Sequence, residues 1–215
     1  MVVSDEQRLE NRLKAIEESV SDIQGWLLIG AGAVLYDIVL NHVGDNPVVV
    51  ELGSWKGRST CWLASAVQDR GNGHVWAVDT WQGSQNEDLH AELLRDYEPD
   101  QLFNEFKANL ATRGLGQYVT PMRMTTHEAA KHWPLDRQVD VLFVDADHAY
   151  HAVRKDFELW SAYVKDGGFI VFDDVPSWPG PTRLVSELPS YYMHVMAPPN
   201  QWVVRKIDTP ALVLG

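Results

Sequence analysis

A single cysteine, Cys61, occurs in 215 residues. That excludes an intramolecular disulfide and a cysteine cage for zinc, and it suits a reducing cytoplasm, where the protein is expected to work. Basic clusters are missing as well. Acidic residues outnumber Lys and Arg by 30 to 18, the net charge is −12, and no basic run offers a face for phosphates. Nucleic acid is therefore not an expected partner. No stretch is apolar for long enough to cross a bilayer. The best, Trp26 to Tyr36, is short, broken by glycines and preceded by an acidic segment, so neither a membrane span nor a signal peptide is expected. Repeats, low-complexity tracts and obvious linkers are also absent. What remains, with 45% hydrophobic and 22% charged residues, is one globular domain around a single core.

What is present is periodic. Ser4-Asp5-Glu6 caps a helix whose apolar residues Leu9, Leu13, Ile16, Val20 and Ile23 recur at helical spacing. The stripe is too short for a coiled coil, which leaves a helix packed on the domain's own edge or a contact between two copies. From Pro47 the pattern changes. Val48-Val49-Val50 leads into Glu51, a glycine turn, and a helix from Arg58 to Gln68; Val75 to Val78 ends at Asp79. Tyr118 to Met124 reads as a third strand, with Thr126 capping a helix from Glu128 to His132, and Val139 to Val144 as a fourth. The next helix carries Val153, Phe157, Trp160 and Val164 on one face and stops at Gly167-Gly168; a fifth strand, Phe169 to Phe172, ends at Asp173-Asp174. Apolar strands alternating with helices predict an α/β, doubly wound parallel sheet covered on both faces. Tyr191 to Met196 and Trp202 to Ile207, separated by the short link Ala197 to Gln201, predict a terminal antiparallel hairpin. The segment Thr80 to Gln117 is too long for a plain crossover. It predicts a helix near Pro99 to Arg113 after a polar loop from Gln82 to Asp96, an insertion of the kind that forms lids or substrate-binding loops.

"ELGSWKGRST", Glu51 to Thr60, marks the first turn. Gly53 and Gly57 let a backbone approach a ligand, and a helix start offers free N–H groups. A dinucleotide fold would place G-x-G-x-x-G here. This chain instead has three residues between the glycines and an acid two before the first, which repels a pyrophosphate and attracts an ammonium. Asp79, ending the second strand, is placed for ribose hydroxyls. An anionic edge with a ribose acceptor suits a nucleoside bearing an amino acid: S-adenosylmethionine.

E-x-G-x-x-x-G after the first strand, Asp79 after the second and the terminal hairpin together resemble the class I S-adenosylmethionine-dependent methyltransferases. The resemblance covers Val48 to Ile207 and implies a Rossmann-like, seven-stranded, mostly parallel sheet. It divides the chain into a helical extension, residues 1–46, acting as lid or dimer contact, and a methyltransferase domain, residues 47–215. It implies that Glu51, Gly53, Ser54, Gly57 and Ser59 line the methionine moiety and that Asp79 takes the ribose. "TTHEA" is similar to the adenine-side turn, making Thr125 and Thr126 candidate adenine contacts, with a plain helix cap as the alternative for Thr126.

In the strand order this resemblance implies, Asp145 and Asp173-Asp174 converge beside the glycine turn. Three carboxylates at one tip repel each other unless a divalent cation offsets them, and oxygen donors favour Mg²⁺ or a similar hard ion. The pattern V-D-x-D-H-x-Y followed by F-D-D-V is similar to a subgroup that includes macrolide-sugar O-methyltransferases, with the catechol O-methyltransferases more distant. That resemblance implies Asp145, Asp173 and Asp174 as metal ligands, with Asp173 standing where several relatives have His. It also implies His148 as general base and Asp145 in a catalytic role. A structural histidine is the alternative for His148, and Asp147 reads as a helix cap near Ala149 rather than a ligand. Asp156 reads as a surface or packing acid, and His90, Tyr97, His127, His151 and His194 carry no spacing that makes a site. Trp55, Trp81 and Trp178 follow strand ends on the rim and either stack on ligand or pack.

The expected activity is Mg²⁺-dependent O-methylation of a sugar or glycosylated small molecule, since the Gln82 to Asp96 loop is polar. A phenolic acceptor and a metal-dependent hydroxylase on the same fold remain alternatives. A nicotinamide oxidoreductase is disfavoured by the missing G-x-G-x-x-G, and a base-modifying methyltransferase by the missing basic face and N-P-P-Y motif. A homodimer through the N-terminal helices is the other expected partnership.

Overall fold

The computed structural model describes residues 4–84 and 88–207. Helix α1 (Asp5–Val20) starts at the Ser4 cap, whose hydroxyl accepts the Gln7 N–H, and α2 (Ala31–Asn41) follows. The alternation then runs β1 (Val48–Leu52), α3 (Arg58–Arg70), β2 (His74–Asp79), α4 (Asp88–Leu93), α5 (Gln101–Thr112), β3 (Val119–Arg123), α6 (Thr126–His132) and β4 (Val139–Val144). It closes with α7 (Tyr150–Trp160), β5 (Val164–Asp173), α8 (Pro179–Ser186), β6 (Tyr192–Met196) and β7 (Gln201–Lys206). Seven strands form one sheet in the order β3-β2-β1-β4-β5-β7-β6; all neighbours are parallel except β5/β7 and β6/β7. This is the doubly wound sheet with a terminal hairpin expected from the residue pattern.

Both sheet faces are covered, as continuously apolar strands require. On one face Val49, Val75, Val141 and Val171 pack with α1, α2, α3 and α5 around Trp62 and Phe106. On the other, Val50, Leu142 and Ile170 meet α6, α7 and α8 around Trp133 and Trp160. Ile16, Val20 and Ile23 of the N-terminal stripe lie inside the first cluster, so the stripe packs on the chain's own core; Leu9, at its start, is 38% exposed. Arg12 and Tyr36 both bind Asp69, tying α1 and α2 to the end of α3. Cys61 sits on α3 with no exposure, and burial pushes its thiol up to about 12.

Three local expectations are corrected. Helix α7 ends at Trp160, and β5 begins at Val164 rather than Phe169. Val164 follows Trp160 at helical spacing, but it pairs with Val139 in the sheet, and Val139 N–H donates to Tyr163 O at 2.8 Å. Strand pairing outweighs the local helical pattern. Thr125, not Thr126, caps α6: its hydroxyl accepts the Glu128 N–H, while Glu128 reaches back to the Thr125 N–H in a capping box. Part of the expected polar loop, residues 85–87, lies outside the described residues, and Asp88–Leu93 within it is helical. Leu89 and Leu93 are exposed there.

Candidate active site

The carboxyl ends of β1, β2, β3, β4 and β5 meet along one edge of the sheet. The turn after β1 is built by internal constraints. Gly53 has φ 86°, and a Cβ there would lie 2.0 Å from the Asp145 carbonyl oxygen and 2.7 Å from Ala146 Cα. This glycine permits the ends of β1 and β4 to touch, with Asp145 N–H donating to Leu52 O at 2.8 Å. Gly57, at φ 87°, starts α3, and a Cβ there would press on Phe106 of α5.

Glu51 lies beneath this turn with no exposure. Its carboxylate accepts from the hydroxyls of Ser54 and Ser59 at 2.6 Å each, and from Thr60. Burial pushes its carboxyl up to about 7, against the pull of the three hydroxyls. Glu51, Ser54 and Ser59 therefore form a buried brace that fixes the turn's shape, rather than an open anionic edge. Asp79 braces the turn from the side: Oδ2 accepts the N–H groups of Ser54 (2.9 Å) and Trp55 (2.8 Å), and Oδ1 that of Trp81 (2.7 Å). A carboxylate has about four acceptor sites, so room for one ribose hydroxyl remains.

At the end of β3, Thr125 is exposed, whereas the Thr126 hydroxyl turns inward to Asp156 on α7. Trp160 Nε1–H donates to Thr126 O at 3.0 Å, so α7 holds this turn at two points. Of the two readings of Asp156, surface or packing acid, the structure shows the packing acid. It is 2% exposed, and burial pushes its carboxyl up to about 7. An acid within the buried spacing Val153, Asp156, Trp160 was the signal in the sequence that could have marked it.

The tip of β4 and β5 assembles the third part. Asp145, His148 and Asp174 each offer one ligand atom, and these atoms lie within 4.8 Å of one another. His148 Nε2 is 2.6 Å from Asp174 Oδ2, and its ring stacks on Trp178 with centroids 4.4 Å apart and planes 14° from parallel. Asp173 is not in this group. It is buried as the last residue of β5, opposite Gln201 of β7; burial, then the neighbouring Asp174 charge, pushes its carboxyl up. Successive strand residues face opposite sides of a sheet, whereas Asp174 leaves the strand at φ 62°. The structure thus groups His148, in place of Asp173, with Asp145 and Asp174. Asp147 Oδ1 accepts the Ala149 N–H at 2.8 Å, shaping the turn into α7. Two carboxylates and an imidazole fit a divalent cation, and the nitrogen widens the choice from Mg²⁺ toward Mn²⁺ or Fe²⁺.

The rim tryptophans divide. Trp81 is core, packed between Phe103 and Phe106. Trp55 stacks on His90 of α4 at 4.7 Å, with Trp26 against both rings. Trp178 is 43% exposed beside His148.

Residues 50–175 match the family model described as a methyltransferase domain. The chain belongs to this methyltransferase family. Its sheet order and terminal hairpin are those of the class I, S-adenosylmethionine-dependent fold, as the glycine turn and Asp79 implied. Among solved structures, the calicheamicin methyltransferase CalS11 is similar with a TM-score of 0.63 at 16% identity, over 97% of this chain and 95% of that one. The O-methyltransferase NovP is similar with a TM-score of 0.60 at 17% identity, over 92% and 80%. At these identities the likeness is one of fold. Protein y4gI of Sinorhizobium fredii is 28% identical over 127 residues. Protein R132 of Acanthamoeba polyphaga mimivirus is 52% identical over 40. This methyltransferase chain spans 13% and 18% of the lengths of these two curated relatives.

Proposed function

We propose that this methyltransferase chain moves the methyl group of S-adenosylmethionine to a hydroxyl of a sugar or glycosylated small molecule, with a divalent cation bound at the tip. The observation that carries this reading is the Asp145, His148 and Asp174 group at the ends of β4 and β5, next to the braced glycine turn. Support for the acceptor class comes from CalS11, described as a TDP-rhamnose 3′-O-methyltransferase, while NovP, described as an O-methyltransferase, supports transfer to oxygen.

When bound, S-adenosylmethionine supplies a methyl group on a sulfonium, and a divalent cation supplies charge that eases deprotonation of a hydroxyl. The chain's residues do the rest. Glu51 and Asp79 hold the glycine turn in one shape, so the methionine end meets a preformed surface. Asp145 and Asp174 would hold the cation, and the His148 imidazole would take the proton of the acceptor hydroxyl. Asp174 Oδ2, at 2.6 Å, then stabilises the imidazolium. Trp178 keeps the ring plane fixed.

Incubation with methyl-labelled donor, Mg²⁺ or Mn²⁺, and a panel of sugars, glycosides and phenols tests the reading. Cation-dependent label in a saccharide is the expected result. Label only in phenols would move the acceptor class, and cation-dependent oxygenation without methyl transfer would replace the activity. His148→Ala is expected to abolish transfer while S-adenosylmethionine still binds. If the variant also loses Mn²⁺ affinity, His148 is a ligand rather than the base.

A further inference from the structure

Asp174 has two carboxylate oxygens, and each has a partner. Oδ2 faces His148 Nε2; Oδ1 accepts from the side-chain amide of Asn200, 2.8 Å away in the turn between β6 and β7. A carboxylate without a proton only accepts, so the amide nitrogen is the end that faces it. The other end is occupied as well, since Asn200 Oδ1 accepts from the Ser177 hydroxyl. The Asn200 carbonyl accepts the Val175 N–H at 3.1 Å. The segment between these contacts is itself closed, with Trp178 N–H donating to Asp174 O at 2.9 Å. One residue of the terminal hairpin thus fastens the loop that carries both Asp174 and Trp178, the two groups that hold the His148 ring.

Turn chemistry explains only half of this. Asn200 has φ 59°, and a hairpin turn at that position wants a residue tolerant of positive φ. Glycine would serve the backbone equally well, but it would leave Asp174 Oδ1 without its donor. A carboxylate held at one oxygen only can rotate, and the spacing of the three tip residues then loosens. We infer that Asn200 is a positioning residue: its amide fixes the rotamer of Asp174 and thereby sets both the cation-binding geometry of Asp145 and Asp174 and the pairing of Asp174 with His148. This rests on the cation reading above and extends it to the antiparallel hairpin, an element that contributes no residue to the tip itself. Partners that orient ligating carboxylates are worth about 10–100-fold in metal affinity.

The deciding variant is Asn200→Gly, which keeps the backbone conformation and removes only the amide. In the full-length chain, Mn²⁺ titration followed by electron paramagnetic resonance is expected to show affinity weakened about tenfold or more. S-adenosylmethionine affinity by calorimetry should stay unchanged. Methyl transfer should fall at limiting Mn²⁺ and recover as Mn²⁺ is raised, a pattern that general destabilisation would not produce. Ser177→Ala, on an exposed side chain, removes the contact that orients the amide and is expected to weaken Mn²⁺ binding in the same direction but by less than Asn200→Gly; it carries the test if the glycine variant does not fold. Wild-type Mn²⁺ affinity in the folded variants would overturn the inference alone. A wild-type chain that binds no divalent cation would overturn the cation reading and this inference with it.

Discussion

Gly180 offers a sharp test of how the site is assembled. It is the second residue of α8, where alanine is ordinarily the better helix former by up to about 1 kcal/mol. Here a Cβ would lie 2.1 Å from the His148 carbonyl oxygen and 2.7 Å from the Tyr150 nitrogen. Both are backbone atoms, so no side chain can swing aside. Restoring ordinary contact requires a displacement of about an ångström in α8 or in the loop bearing His148, and overpacking of this kind costs about 1–3 kcal/mol. The clash outweighs the propensity gain, and Gly180→Ala is expected to lose roughly 1–2 kcal/mol of stability, a drop in Tm of about 2–8 °C for a domain of this size. Methyl transfer should suffer more, because a misplacement of about an ångström near reacting groups costs on the order of a hundredfold. Urea denaturation followed by tryptophan fluorescence, alongside label transfer, measures both. Gly116→Ala, where nothing lies within 4 Å of the added Cβ, is the control and should change stability by under about 0.5 kcal/mol. A Gly180→Ala protein as stable and as active as wild type would refute the close approach of α8 to the His148 loop.

The buried acids predict an unusual pH dependence. The Glu51 carboxyl moves from an ordinary 4.5 in the unfolded chain to about 7 in the fold, so between these values the folded chain keeps a proton that the unfolded chain has lost. Stability should therefore fall as pH rises through that window, by at most about 3 kcal/mol from this residue. Glu51→Gln should flatten the slope between pH 5 and 7 in urea titrations; an unchanged slope would remove Glu51 as its source. Asp156→Ala leaves the Thr126 hydroxyl facing a buried gap and should cost about 1–3 kcal/mol, whereas Asp156→Asn, which retains an acceptor, should cost under about 1 kcal/mol. Equal losses in urea denaturation would contradict this. Asp79→Asn replaces one accepting oxygen with a donor facing backbone N–H groups, and is expected to cost about 2–3 kcal/mol and to weaken S-adenosylmethionine binding by calorimetry. Wild-type stability and binding would show that the turn does not depend on this carboxylate.

Much of this architecture is legible in the residues because the signals are strong and redundant. Val49 to Leu52 and Val139 to Val144 are buried on both faces, so their composition is nearly uniform and identifies central parallel strands. The proline-containing link before Gln201 marks the hairpin for an equally local reason. Boundaries set by distant partners are not visible in this way. Val164 fits a helix and a strand equally well until Val139 is beside it. At the site, chain order places Asp145, Asp173 and Asp174 together but not their orientations. The alternation of a strand and one positive φ separate Asp173 from Asp174. Glu51 shows the same limit: its position in the turn was evident, but three hydroxyls from the turn and α3 bury it. Asn200 carried no sequence signal beyond a turn residue, because its importance comes from a loop more than twenty residues earlier in the chain.

The position of Cys61 has a practical consequence. As the only thiol, with no exposure and a pKa pushed to about 12, it presents essentially no thiolate to solvent near neutral pH. Maleimides and nitroxide reagents should pass it by, so the native chain is already a blank background for site-selective labelling. A cysteine introduced at exposed Leu93 and another at exposed Met193 would accept a spectroscopic pair without any prior removal of a native residue. Distances between the α4 insertion and the terminal hairpin could then be followed as donor and acceptor bind.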